Sequence, residues 1–568
     1  MKKIVIFLAV FFGMSAALFA GGAQSGAQGT AAGTNAAGAI PSYINLDGYF
    51  PIVKQGTNVT MTVSWQPDET WARTSNPADI WYFTFVKRAM NINLDVSTRA
   101  PGNEVKNLMF ASGDLPDIWL GSLSPNDIVT YGVSEKQLVP ISDYLNPTLM
   151  PNLYKVYSDN PELKGPSTAS DGKIYSFANI RGKEWLHGPI TGGLARAFFN
   201  QKWLDKLGIK VPETLDQYLD VLRAFKTLGS DVVPESSIFT AANNFMLVYT
   251  ALGFHWTGGN NITGVGTRNG KVTFVFGDRD IYPKFVETYK TMYDEGLIFK
   301  DYFTMTNNAR NAFTMTGKAG TLVGPPITYV DPQYYFDYVS AKPLTSELNK
   351  TLFWVSPANY VNANFVSVTS NCKYPEAAMR LFDFNYTPEN TIIAYFGYPD
   401  TQPAMNYGMI PGWTIKGNLM DMNIDNTALY PSEYYFVNSR VRPLHGMIGI
   451  TNNAAETAMQ MYGMNPPKEA FDPTNADSFA RQSTYENISK YAVTEFPFIV
   501  YWDPETAQRL TDLSSVLNDY AETQFAQFVT GGRPLSDMNN YFAELDKMGY
   551  QEYIKYYSDY YDKVKISN

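Results

Sequence analysis

Val59-Thr-Met-Thr-Val-Ser-Trp65, Leu94-Asp-Val96 and Asp114-Leu-Pro-Asp-Ile-Trp119, with helix-forming stretches at Ile80–Met90 and Asn103–Ala111 between them, decide the fold class. Val59, Met61 and Val63 alternate with threonines, the period-two pattern of a strand that ends at Ser64 and Trp65. Val105, Leu108 and Met109 share one face of the second helix, and Gly113 stops it. A proline turn at Pro116 then opens the third strand. Strand, helix, strand, helix, strand is the start of an α/β lobe around a parallel sheet, whose ligands sit beyond the strands' carboxyl ends. Two of these strands carry a tryptophan there, Trp65 and Trp119, aromatic faces suited to the C–H surface of a sugar ring.

Outward from this stretch, the 568 residues exceed what one hydrophobic core normally serves, so two lobes are expected. Hydrophobic residues make up 45% and charged ones 17%, with 39 Tyr, 35 Phe and 10 Trp, which calls for an extensive core or aromatic-lined surfaces. A net charge of -10 argues against nucleic acid and anionic lipid as partners, since both are held by clustered Lys and Arg. Lys2 and Lys3 precede an apolar run from Ile4 to Phe12 and small residues up to Ala20, a secretory signal with residues 1–20 removed on export. Residues 21–43 read as a flexible Gly/Ala/Ser linker. The single cysteine, Cys372, leaves neither a disulfide framework nor a lipidated cysteine beside the signal, so a soluble periplasmic or extracytoplasmic protein is expected.

Further along, Ile174–Phe177 reads as a strand, and a Gly-broken segment with Arg181, Trp185 and His187 leads to Ala195–Phe199, where the chain crosses to a second lobe. Lys202–Leu207 is a short helix closed by Gly208, and Thr214 with Gln217 is a capping box for the next. Asn269-Gly270 marks a tight hairpin, Ile281–Gly296 and Asn307–Thr316 are helices, and Pro325 to Tyr329 a rigid loop. From Pro504 the chain reads as almost entirely helical, with Tyr550–Tyr561 as packing residues.

Met109-Phe-Ala-Ser-Gly-Asp-Leu-Pro-Asp-Ile118, Gly208-Ile-Lys-Val-Pro-Glu-Thr-Leu215 and Gly317-Lys-Ala-Gly320, joined by Pro375–Phe384 and Phe528-Val-Thr-Gly531, resemble the extracellular solute-binding proteins of ABC importers, the large carbohydrate-type, family 1-like group. The resemblance runs over roughly the whole mature chain. It implies an α/β, periplasmic-binding-protein-like fold of type II character: two lobes joined by hinge strands, closing on a ligand, with C-terminal helices. Lobe 1 is expected at 44–193 and 362–494, lobe 2 at 194–361 and 495–568. One departure is that Pro325 and Pro326 stand where sugar-binding relatives often carry an aromatic, a place Tyr329 is expected to fill.

The implied cleft takes Trp65 and Trp119 from the first lobe, Trp185 from the crossing segment, and Phe245, Trp256, Tyr329 and Trp354 from the second as stacking residues. Asp68, Arg99, Arg181 and Asn244 supply directional hydrogen bonds. The expected partners are a small-molecule ligand, an oligosaccharide, and the permease subunits of the importer, with the protein itself monomeric and without cofactor or metal. The alternative is a secreted glycoside hydrolase, which needs two facing carboxylates; Asp114, Asp117, Asp68 and Glu184 are the candidates. His187, His255 and His445 are too scattered for zinc, no Gly-x-Ser-x-Gly elbow marks a nucleophile, and Asp421, Asn423 and Asp425 open a calcium-like loop that lacks its turn glycine.

Overall fold

The structure, a computed structural model, describes residues 40–67, 72–100, 102–180, 197–239, 245–256, 264–324, 326–355, 361–400, 412–416, 419–422, 436, 440–441, 443, 448–450, 476–493 and 500–567. Its N-terminal lobe begins β1 (Thr60–Trp65), α1 (Trp81–Met90), β2 (Asn93–Thr98), α2 (Asn103–Ser112), β3 (Ile118–Leu120). Met61 and Val63 point inward from β1 as the alternation requires. Asn91 closes α1 in the left-handed conformation, and Gly113 closes α2 at φ 72°. The apolar face foreseen for α2 is not the one it buries: Leu108 is 65% exposed, and Phe110 enters the core instead, stacked on Tyr131 at 3.9 Å. Helix α3 (Pro151–Asp159) follows, then β4 (Phe177–Ile180), three residues later than its apolar run suggested because Asp171–Lys173 and the residues after them are spent in the turn.

The second lobe opens with β5 (Ala197–Asn200), α4 (Gln201–Leu207), α5 (Leu215–Lys226) and α6 (Met246–Leu252). Thr214 Oγ1 caps α5 by accepting from Gln217 N at 3.2 Å, while Gln217 Oε1 accepts from Glu213 N, one residue ahead of the cap. Strands β6 (His255–Trp256), β7 (Val265–Arg268) and β8 (Lys271–Phe274) form an antiparallel sheet whose β7–β8 turn places Asn269 and Gly270 at φ 52° and 70°. Then come α7 (Tyr282–Asp294), α8 (Asn307–Thr314), β9 (Thr321–Val323), a single helical turn at Pro326–Tyr329 where a loop was expected, β10 (Tyr338–Ser340) and β11 (Trp354–Val355). Proline fits the first turn of a helix, which is why Pro326 starts one here.

The chain returns through β12 (Val361–Val368), α9 (Pro375–Asp383), α10 (Pro388–Phe396), β13 (Trp413–Lys416), β14 (Leu419–Met422) and β15 (Gly449–Ile450). It ends with α11 (Ala476–Asn487), β16 (Ala492–Val493), α12 (Pro504–Thr530), α13 (Met538–Lys547) and α14 (Tyr550–Ser567).

Six strands make the first lobe's sheet, in the order β15-β4-β12-β3-β1-β2; β2 and β3 flank β1 in parallel, and β12 runs antiparallel to β3 and β4. The second lobe is built on the antiparallel β10-β5-β9 sheet. Each sheet is covered on both faces. Val63, Phe85, Ile118, Val366 and Phe382 belong to the large core of the first lobe, while Phe110 and Trp119 form a smaller one behind it. In the second lobe Phe199 enters the large core and its neighbour Phe198 the small one, with Leu322, Tyr338 and Ala480. Phe525 of α12 lies within about one ring's reach of Phe239, Phe245, Phe276, Phe285, Tyr289 and Phe303, so much of the aromatic load is spent inside the second lobe. Gly320 shows why that position takes no side chain: a Cβ would lie 2.3 Å from Phe225 and 2.6 Å from the Pro234 carbonyl oxygen.

Candidate functional site

Core residues up to Ile180 and from Val361 to Ile448 belong to the first lobe; those from Ala197 to Val355 and beyond Ala480 belong to the second. The chain therefore links the two sets of core residues between Ile180 and Ala197, between Val355 and Val361 and between Ile450 and Ala476. Strand register shows which end of each sheet faces those links. In the first lobe β12 leaves the link at Val361 and meets β3 as Val366 with Leu120, so β3 and its parallel neighbour β1 run toward the link and end there. Past Leu120 the chain continues in that direction: Gly121 N donates to Phe365 O and Leu123 N to Asn364 O. In the second lobe Val323, the last residue of β9, pairs with Ala197, the first described residue after the link. The carboxyl ends of β1 and β3 thus lie on the side of their sheet from which Val361 enters, beyond which an α/β fold places its ligand, and the end of β9 lies beside Ala197.

Arg99 stands at that end of the first lobe. Its backbone N–H donates to Trp65 O, and Nη1 donates to Ser64 O at 2.9 Å, Ser64 Oγ at 3.2 Å and Leu120 O at 3.1 Å. The guanidinium lies 4.1 Å over the Trp119 ring, and burial pulls its pKa down to about 10. Gly121, at φ 144°, leaves room for it: a Cβ there would fall 2.3 Å from Nη2. Among the described residues no acceptor meets Nη2 or Nε. In the second lobe Tyr329 closes the helical turn after β9, half-buried, with Arg310 of α8 4.9 Å over its ring. Thr314 Oγ1 donates to Tyr329 O at 2.6 Å and ties the two segments, and the absent side chain of Gly324 makes space for the Tyr329 ring.

The other candidates divide. Trp65 and Trp119 sit on strands of one sheet but do not come together. Trp119 is in register with Ser64 and Trp65 with Leu120, so the two rings point to opposite faces. Trp65 enters the large core, edge-on to Phe83 and donating from Nε1 to Pro443 O at 2.6 Å. Trp119 packs on Phe110 with its other side under Arg99. Phe245, Trp256 and Trp354 are buried in the second lobe's core, where Phe245 contacts Tyr249, Phe285 and Tyr289, and they offer no face to a solute in this conformation. Asp68, Arg181, Trp185 and Asn244 lie outside the described residues, as do Glu184, His187, His445, Asn423 and Asp425.

Arg310 was not foreseen. It follows Asn307 and Asn308 and precedes Asn311, a setting that reads as a solvated helix face; the signal was its place one turn before Phe313 and Thr314, on the buried side. Of the carboxylates a hydrolase would recruit, Asp117 lies at the amino end of β3, away from the links, where Oδ2 accepts from Thr62 N at 2.7 Å and Thr62 Oγ1 at 2.8 Å. His255 is stacked on Phe353 at 3.7 Å.

The profile of the bacterial extracellular solute-binding protein family matches residues 106–405, more than half of the chain, which therefore belongs to that family. The fructooligosaccharide ABC transporter substrate-binding protein FusA of Streptococcus pneumoniae is 26% identical over 488 residues, covering 82% of this chain and 83% of its own. The polygalacturonan/rhamnogalacturonan-binding protein YtcQ of Bacillus subtilis is 25% identical over 266 residues, 46% of this chain and 49% of its own. Among solved structures, FusA from S. pneumoniae in complex with kestose superposes with a TM-score of 0.67 at 22% identity, over 90% of this chain and all of that one. An extracellular solute-binding protein from Bifidobacterium longum subsp. infantis gives 0.71 at 21% identity, over 90% and 99%. The two-lobed periplasmic-binding-protein fold is thereby shown.

Proposed function

We propose that this protein is the capture component of an ABC importer: it takes a carbohydrate, an oligosaccharide, into the space between its lobes and delivers it unchanged to a membrane permease. The observation that supports this most is that the end of the β1/β3 pair in one lobe and the end of β9 in the other each carry an arginine laid over an aromatic ring, Arg99 on Trp119 and Arg310 on Tyr329. An arginine held in this way in each lobe lets one ligand touch both, and a ligand that touches both favours the closed arrangement by its differential affinity. The likeness to FusA over most of the chain favours an oligosaccharide over a peptide.

In this reading the lobes comprise residues 44–180 with 361–450 and residues 197–355 with 476–567. The protein performs no chemistry on its ligand, consistent with Asp117 being engaged at the far end of β3. It acts outside the cytoplasm without a lipid anchor; the one cysteine, Cys372, packs half-buried against the first lobe's core. The test is calorimetric titration with neutral and acidic oligosaccharides, followed by chromatography of each mixture. Binding with the sugar recovered intact supports the reading, and cleaved sugar refutes it.

A further inference from the structure

Arg223, Arg268, Arg279, Arg509 and Arg533 each hold a carboxylate within ion-pair distance. Arg380, buried in the first lobe and bonded to Gly48 O, Thr148 O and Leu149 O, lies in the field of Asp383. Arg99 and Arg310 differ. Arg310 is buried and Arg99 half-buried, both lie on an aromatic ring, and among the described residues neither has a carboxylate partner, in a chain with 54 acidic side chains against 44 basic ones. Among the described residues their hydrogen-bond acceptors are neutral oxygens: Ser64 and Leu120 for Arg99, and for Arg310 Asn311 Oδ1, which takes Nε and Nη2, together with the Tyr329 side chain.

A guanidinium removed from water without a counter-charge is costly, and the cost is relieved when an anion arrives. Burial lowers the pKa of both groups, the same penalty seen from the proton's side. Position matters as much as charge. Arg99 sits where β1 and β3 end and Arg310 behind Tyr329 where β9 ends, the ends that face the links in their respective lobes. On Arg99 the Nη1 edge is engaged, and among the described residues no acceptor meets Nη2 and Nε, the two donors in a plane that match a carboxylate's two oxygens.

Resting on the carbohydrate reading above, we propose that the oligosaccharide is acidic, a sugar chain bearing carboxylate groups, and that Arg99 and Arg310 supply the positive charge that selects it, one from each lobe.

The test uses the full mature chain with oligogalacturonate and oligoguluronate trimers, the same trimers with their carboxylates methyl-esterified, and neutral trimers such as maltotriose and kestose. The expected result is that an acidic trimer binds and its ester binds about ten- to a hundredfold more weakly, the size of one charge-assisted hydrogen bond. Affinity for the acid should also fall as salt is raised from 20 to 500 mM, in line with about a fivefold shortening of the screening length. Arg99→Met should shrink the difference between acid and ester to what Arg310 alone supplies, whereas Arg99→Lys, which keeps charge but loses the fork, should retain more of it. Because Arg99→Met could also unsettle β1 and β3, its melting temperature is measured alongside, and the salt dependence of the parent stands independently of any variant. A neutral trimer or an ester that binds as tightly as the acid overturns the acidic ligand and leaves the carbohydrate reading intact. No binding by any sugar, acidic or neutral, overturns both.

Discussion

Tyr501, on the stretch that leads into α12 of the second lobe, donates its hydroxyl hydrogen bond to Asn364 Oδ1 of β12 at 3.0 Å. The same oxygen accepts from Ser176 Oγ at 2.7 Å, just before β4, and the Tyr501 ring packs against the small core of the first lobe. Three stretches, two from the first lobe and one leading into the second lobe's α12, are thus tied through one buried amide. Asn364 itself sits at φ 70°, within an irregularity in the β12–β4 pairing.

Replacing Tyr501 with Phe deletes one of these bonds and should lower the free energy of unfolding by about 1 kcal/mol. Asn364→Ala should cost more than Asn364→Gly by about 1–2 kcal/mol, because only glycine and asparagine tolerate this backbone without strain. Urea unfolding of the three variants checks the order; equal losses for Ala and Gly would show that the backbone at 364 is unstrained.

Asp383 should make stability depend on pH. Its carboxylate accepts from Leu153 N at 2.7 Å and Asn152 N at 3.2 Å, both at the start of α3, and from the Tyr49 hydroxyl, but burial outweighs these bonds and lifts its pKa to about 6. A carboxyl whose folded pKa exceeds its unfolded one contributes stability below the unfolded value, and that contribution is lost as pH rises through the folded one. Between about pH 4 and 6 the parent should therefore lose up to about 3 kcal/mol relative to Asp383→Asn, which cannot ionise. Paired denaturation curves at pH 4, 5, 6 and 7 measure the difference; a difference constant across that range would mean that Asp383 titrates as in the unfolded chain.

Trp354 should behave as a core residue. Its ring is fully buried on β11, so Trp354→Ala should cost about 3–5 kcal/mol in stability while leaving ligand affinity unchanged in the folded fraction. Urea unfolding and calorimetric titration of the same preparation separate the two effects. Lost affinity with full stability would return Trp354 to the binding surface.

The element order was legible because periodicity and end signals are local: Gly113 and Gly208 stop helices where expected, and Asn269-Gly270 turns the hairpin. What was not legible depends on register and on packing from a distance. Trp65 and Trp119 both looked like residues at strand ends, yet one position of register sends them to opposite faces of the sheet. Leu108 completed an apolar stripe by spacing, but Phe110 and Tyr131 took the core and left it in water. Arg99 was chosen for its polarity, while its seat over Trp119 is made by the missing side chain of Gly121, a residue twenty-two positions away. Sequence spacing carries no record of which arginines lack a carboxylate, and so Arg310 went unseen.

The central claim, that two lobes close on a captured solute, is tested most directly by the distance between them. Spin labels on cysteines at Lys155 and Lys300, exposed sites in the first and second lobes, placed in a Cys372→Ser background, report it by pulsed electron resonance. A bound oligosaccharide should shift the distribution to a shorter distance and narrow it. Binding that leaves the distribution unchanged would contradict closure as the way this protein holds its ligand.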